Sequence, residues 1–173
     1  MPVLVLIIFG LFGAALIAGL IFLVAFFGHA LMTGQAQHMN FDYIRAVAVF
    51  ALEASLAHAL LLGTPAFMGL YRLGWLKSWV CLLAGLAIGT VPTAIRSWPW
   101  HPAVAAGSKV TISVLRGGKL VQTVVNGVPT LAGWLDYAWN VLTYSALGAL
   151  GGLAFWLLWQ ILHPVLQRMP TRR

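Results

Sequence analysis

Apolar positions in this chain come as four nearly unbroken blocks, at about residues 3–31, 44–69, 78–95 and 137–162, separated by short polar connections. A run of 18 or more apolar residues with few charges, rising about 1.5 Å per residue, is long enough to cross a bilayer as a helix. The pattern predicts an all-α membrane protein, a four-transmembrane-helix bundle in a single integral domain over residues 1–173. Between the third and fourth blocks the period changes. "KVTISVL" (Lys109 to Leu115) and "LVQTVV" (Leu120 to Val125) are β-branched runs joined by "RGGK", and a second turn signal follows at Asn126-Gly127. This predicts a small extracytoplasmic β-hairpin, extending to a two- or three-stranded ribbon over about residues 108–131, with Pro129 confining its last piece to an edge.

Each block also carries small residues every four positions: Gly10, Ala14 and Ala18; Ala51, Ser55, Ala59 and Gly63; Cys81, Gly85 and Gly89; Gly148 and Gly152. In lipid, helices associate through close backbone approach at such residues and through interhelical hydrogen bonds. The stripes therefore suit a compact bundle, and suit self-association equally. Pro65 and Pro92 fall in the last turns of the second and third blocks, where a residue without an N–H bends or ends a helix. Both are candidate kinks, with a kink or a helix end expected at Gly63-Thr64-Pro65.

Composition agrees with the blocks. The chain is 61% hydrophobic and only 8% charged, too apolar for a water-soluble surface. The first block lacks a Lys or Arg before its apolar core and that core is too long for a signal peptide, so it reads as a retained helix. The formal charge of +7 does not indicate nucleic acid, because the basic residues are scattered over connections and tail. They bear on orientation instead. Arg72, Lys77, Arg168, Arg172 and Arg173 fall on one side, packed into a short turn and the tail; Arg45, Arg96, Lys109, Arg116 and Lys119 are spread over longer segments on the other. The concentrated set places both termini in the cytoplasm. Aromatic residues mark the interfaces: Tyr71, Trp75 and Trp79 inside, and Trp98, Trp100, Trp134, Tyr137 and Trp139 outside, with Trp98, Trp100 and Trp134 as the outer anchors.

Two ionisable residues interrupt the second block, Glu53 and His58. Counted from Ile44 they lie about 14 Å and 21 Å deep, where an ionisable side chain is costly and marks a functional hypothesis by default. Five residues separate them, about 140° around a helix axis, so they cannot pair on one face. Glu53 also points away from the Ala51/Ser55/Ala59/Gly63 stripe. It can serve as interhelical glue, donating as a neutral acid to a backbone carbonyl or to Thr143, Tyr144 or Ser145; as a coupling group for protons or cations; or as a contact for a partner subunit. His58 can be satisfied by a neighbouring helix.

No cofactor or metal is implied. Among His29, His58 and His163 no two share a depth, as axial haem ligands must, and His38 and His101 lack acidic or thiol companions. One cysteine, Cys81, allows no intramolecular disulfide. With three acidic residues, Asp42, Glu53 and Asp136, no catalytic triad, metalloprotease motif or phosphate loop is present, so no catalytic residues and no enzymatic activity are expected.

"AHALLLGTPAFMGLYRLGWLKSW" (Ala57 to Trp79) with "LLAGLAIGTVPTAI" (Leu82 to Ile95), and "GVPTLAGWLDY" (Gly127 to Tyr137) with "LGALGGLAFWLLW" (Leu147 to Trp159), resemble a group of small uncharacterised four-span bacterial inner-membrane proteins. The resemblance implies a multi-pass protein of the bacterial inner (plasma) membrane and no activity. The function expected is that of a non-enzymatic structural, accessory or interaction component of a membrane assembly, its partners being the lipid bilayer and other membrane-protein subunits or further copies of itself. The alternative is a small oligomeric proton- or cation-coupled transporter or channel using Glu53.

Overall fold

The computed structural model of the chain describes residues 2–32, 34, 37, 39–99, 111–116 and 119–167. Among these, four helices are long and apolar enough to cross a membrane: Val3–Met32, Phe41–Arg72, Ser78–Arg96 and Leu131–Pro164. In chain order the elements are α1 (Pro2–Met32), α2 (Phe41–His58), a π-helical turn (Ala59–Gly63), α3 (Thr64–Arg72), α4 (Ser78–Arg96), β1 (Ile112–Arg116), β2 (Lys119–Val125), β3 (Val128–Pro129) and α5 (Leu131–Gln167).

Local chemistry sets the ends of these helices. Asn40 caps α2 by accepting a hydrogen bond from the Tyr43 N–H at 2.8 Å, so the helix starts three residues before the apolar block does. Thr130 does the same for α5, its Oγ1 accepting from the Gly133 N–H at 3.2 Å, which moves that start from about 137 to Leu131. At the end of α3 the N–H of Trp75 donates to the carbonyl of Leu70 and that of Gly74 to Tyr71. Gly74 has φ +69°, the left-handed cap this pattern requires.

Pro65 does not stop the second span. The chain widens into the π turn over Ala59–Gly63 and then continues as α3, with Pro65 in its first turn. A proline ring collides with the carbonyl four residues back and cannot bond it; one wider turn just upstream separates the two without ending the helix. Pro92 likewise sits inside α4, which runs on to Arg96.

The bundle is organised around α5, which packs against α4 on one side and α1 on the other, while α2 packs along α1 but not along α4 or α5. The α4–α5 seam is built from the small residues read in the sequence. A Cβ placed on Gly85 would overlap the Gly148 carbonyl, one on Gly89 the Tyr144 carbonyl, and one on Gly152 the Cys81 carbonyl, so the two backbones touch without intervening side chains. Thr90 and Ser145 meet in the same seam, hydroxyl to hydroxyl, at 2.6 Å. Each is also within hydrogen-bond reach of its own helix, Thr90 of the Leu86 carbonyl and Ser145 of the Val141 carbonyl. Two hydroxyl protons serve three contacts, so at any moment at most one hydroxyl donates across the seam.

The end of the bundle holding the N-terminus of α1 and the C-terminus of α5 is filled. Leu6, Ile7, Leu11, Phe67, Cys81 and Phe155 form the centre of its core, with Ile7, Cys81 and Phe155 fully buried. The rings of Phe67 and Phe155 lie 4.1 Å apart between centroids. At the opposite end sits the antiparallel sheet, order β1-β2-β3. Asn126 and Gly127 both have positive φ, 50° and 79°, as a two-residue hairpin turn demands. Pro129 is on the edge strand, opposite Val124. The sheet is tied to α5 through Thr130, whose N–H donates to the Thr123 carbonyl and whose hydroxyl reaches that of Gln122 at 2.7 Å. The expected Gly117-Gly118 turn and the ribbon's first residues, 108–110, lie outside the described residues.

Candidate functional site

The second span carries the chemistry. From Phe41 to Arg72 it is 32 residues long, so its midpoint falls between Leu56 and Ala57. Glu53 and His58 then lie within about 6 Å of mid-span along the axis. They diverge as the helical period requires.

Glu53 is exposed on the outward face of α2 and makes no hydrogen bond or ion pair among the described residues. Its neighbours on that face, Ala46, Val49, Ala57 and Leu60, are exposed as well. Two of the three hydroxyls that could have received it are engaged elsewhere. Ser145 is buried against Thr90, and Thr143 donates to the Trp139 carbonyl at 2.8 Å. Glu53 is therefore not glue within this chain. It is a single carboxyl in the middle of an otherwise apolar helix face.

His58 turns the other way. Its Nδ1 lies 2.8 Å from the Ala54 carbonyl, and since a carbonyl can only accept, Nδ1 is the donor. The ring borders a lateral groove of about 160 Å³ between α2 and α4, floored by α1 and α5. The groove exists because α2 leans on α1 alone, whereas the π turn and α3 swing across to meet α4 and close it at the filled end. Of the residues lining it, only Ser55, His58, Thr93 and Tyr144 are polar. The Ala51/Ser55/Ala59/Gly63 stripe faces this groove and α1 together: Ala51 is buried, and Gly63 sits against Leu11.

Trp98, Trp134 and Tyr137 form a cluster of edge-to-face rings with centroids 5.4–5.9 Å apart beside the sheet. Trp100, like His38 and His101, lies outside the described residues. At the other end Tyr71 meets the Trp159 ring edge to face and Trp159 stacks on His163. Among the described residues no group of three His, Cys, Asp or Glu side chains is placed to hold a metal ion. Sequence reasoning did not find the groove. Small residues at four-residue spacing signal close packing, and nothing in that spacing tells which pair of helices stays apart.

Compared with protein families, curated proteins and solved structures, the chain matches none.

Proposed function

We propose that this is a non-enzymatic, multi-pass membrane protein that works by association: the outward face of α2 receives a transmembrane helix of another membrane-protein subunit, and Glu53 is the polar contact. The observation that carries this reading is Glu53 itself, exposed and without a partner among the described residues at the middle of an apolar helix. A lone acidic side chain facing hydrocarbon at helix centre costs roughly 2.5–3.5 kcal/mol on insertion scales. A neighbouring helix that offers a hydrogen-bond donor or a cation at that depth removes most of this cost. A second copy of the chain is the poorer complement, since it has no Lys or Arg between Arg45 and Arg72, between Lys77 and Arg96, or between Lys119 and Arg168. The same reading keeps both termini cytoplasmic, the sheet outside, and a bacterial inner membrane as the setting.

The test is native mass spectrometry of the protein extracted in mild detergent from its own host, wild type beside Glu53→Leu. A stoichiometric membrane partner present with wild type and lost with Glu53→Leu is expected. A wild-type protein that emerges as a lone protomer, or a partner retained by Glu53→Leu, contradicts the proposal. The transporter reading has less behind it: Glu53 lies outside the groove, and the groove ends at the packed Phe67 and Phe155. It requires Glu53-dependent flux, so Glu53→Gln in reconstituted vesicles decides it.

A further inference from the structure

Resting on the reading of the outward α2 face as an association surface, we infer that the helix it receives carries two basic residues, Lys or Arg, eleven positions apart: one at mid-depth against Glu53, the other at the level of Asp42. The pattern, exposure and charge of that face lead to this partner.

The face repeats every eleven residues. Asp42, Ala46 and Val49 recur as Glu53, Ala57 and Leu60: an acid, a small residue four positions on, and an aliphatic one three beyond that. Eleven residues make three turns of a helix and about 20° more, so the two acids stand almost on one line, about 17 Å apart along the axis. A partner that meets both lies alongside α2 instead of crossing it at a point. All six positions are exposed, because α2 leans on α1 with its other face. The alanines leave room beside each carboxyl for a second backbone to come close.

Charge selects the occupant. The whole chain has three acidic residues, and two of them stand on this line. Neither makes an ion pair among the described residues, although Arg45 is only three positions from Asp42. Asp42 lies in the first turn of α2, where it complements the positive end of the helix dipole. That explains an acid at this height but not the side on which it stands. A carboxylate only accepts hydrogen bonds, and a cationic donor answers it more strongly than a neutral one. In a chain of net charge +7 this strip is the acidic exception, and it fits a helix of opposite sign. Basic residues eleven apart reach both acids whichever way the partner runs, since the separation is the same read in either direction.

The test places the full chain in phosphatidylcholine vesicles, whose zwitterionic surface adds no attraction of its own, with a leucine–alanine transmembrane peptide bearing an acceptor dye. Binding is read as energy transfer from the chain's tryptophans. Three peptides, their insertion verified by oriented circular dichroism, are compared: one with two lysines eleven apart, one of them central; one with two lysines nine apart, which puts the second on the opposite face; and one with two glutamines eleven apart. The first should bind about tenfold or more tightly than either of the others. That advantage should vanish with Glu53→Gln, and should fall to the level of the nine-residue spacing with Asp42→Asn; both side chains are exposed, so neither change touches the packed bundle. A glutamine peptide that binds as well as the first overturns the basic partner while leaving Glu53 a polar contact. Equal binding of the two lysine peptides overturns the eleven-residue register. Binding no better than that of a plain leucine–alanine helix, or unchanged by Glu53→Gln, overturns the inference altogether. The association reading is judged apart from these outcomes, by whether a natural partner is captured with the wild-type chain and lost with Glu53→Leu.

Discussion

Gly85→Ala is the most informative single perturbation of the bundle. The new Cβ would overlap the Gly148 carbonyl oxygen, with the Gly152 N and Cα atoms next at 2.9 Å. All of these are backbone atoms, so no side chain can rotate away, and α4 and α5 must part by about 1 Å to restore contact distance. Overpacking of this kind typically costs about 1–3 kcal/mol. Alanine in place of glycine in a helix returns about 1 kcal/mol, which obscures the packing cost if Gly85→Ala is measured alone. Gly69→Ala supplies the correction, because Gly69 is also helical and a Cβ there meets nothing within 4 Å. The propensity gain is common to both variants, so their difference isolates the packing cost at about 1–3 kcal/mol. The assay is reversible unfolding in mixed detergent–dodecyl sulfate micelles, followed by helicity. If Gly85→Ala proves as stable as Gly69→Ala, the α4–α5 seam is not the close backbone contact described.

Ser145→Ala removes the hydroxyl-to-hydroxyl contact in the same seam and should cost about 0.6 kcal/mol, the usual worth of an interhelical hydrogen bond in a membrane, in the same unfolding assay. Phe155→Ala empties the centre of the filled end, where Phe155 is fully buried, and should cost about 3–5 kcal/mol; a loss below 1 kcal/mol by the same measurement would count against that core. Trp156 has a buried indole N–H with no hydrogen-bond partner among the described residues, so Trp156→Phe should be neutral or stabilising by up to about 1 kcal/mol, read as a shift in unfolding midpoint. Gly127→Ala forces a side chain onto φ +79° and should loosen the hairpin by about 1 kcal/mol or more, visible as faster amide exchange in β2 and β3 with the helices unchanged.

Much of the fold was legible because a bilayer leaves so few solutions. Apolar length alone located the four spans, and the change to β-branched alternation with Asn126-Gly127 located the sheet and its turn. The four-residue spacing of Cys81, Gly85 and Gly89 with Gly148 and Gly152 anticipated a seam that the fold does contain. The helix starts were missed by three and six residues because Asn40 and Thr130, which set them, lie outside the apolar blocks. At Pro65 the expectation of a kink or an end left two outcomes open. Proline reports only that a regular turn is impossible, and a π turn satisfies that constraint as well as a stop does. For Glu53 and His58 the wheel gave their divergence correctly, but the direction each faces depends on α2 leaning on α1 alone. That is a property of all four helices together and has no signature in one.

The claim that the Glu53 face is an association surface is tested most directly by placing a photo-cross-linking residue at Val49 or Ala57, one turn to either side of Glu53, in the host membrane. The same probe at Leu83 and Val91 on the outward side of α4 gives the background. The account predicts a discrete adduct from Val49 and Ala57, with the partner's cross-linked residue inside a transmembrane span, and its disappearance when Glu53→Leu is added. Adducts to lipid alone at Val49 and Ala57, matching those at Leu83 and Val91, would contradict it.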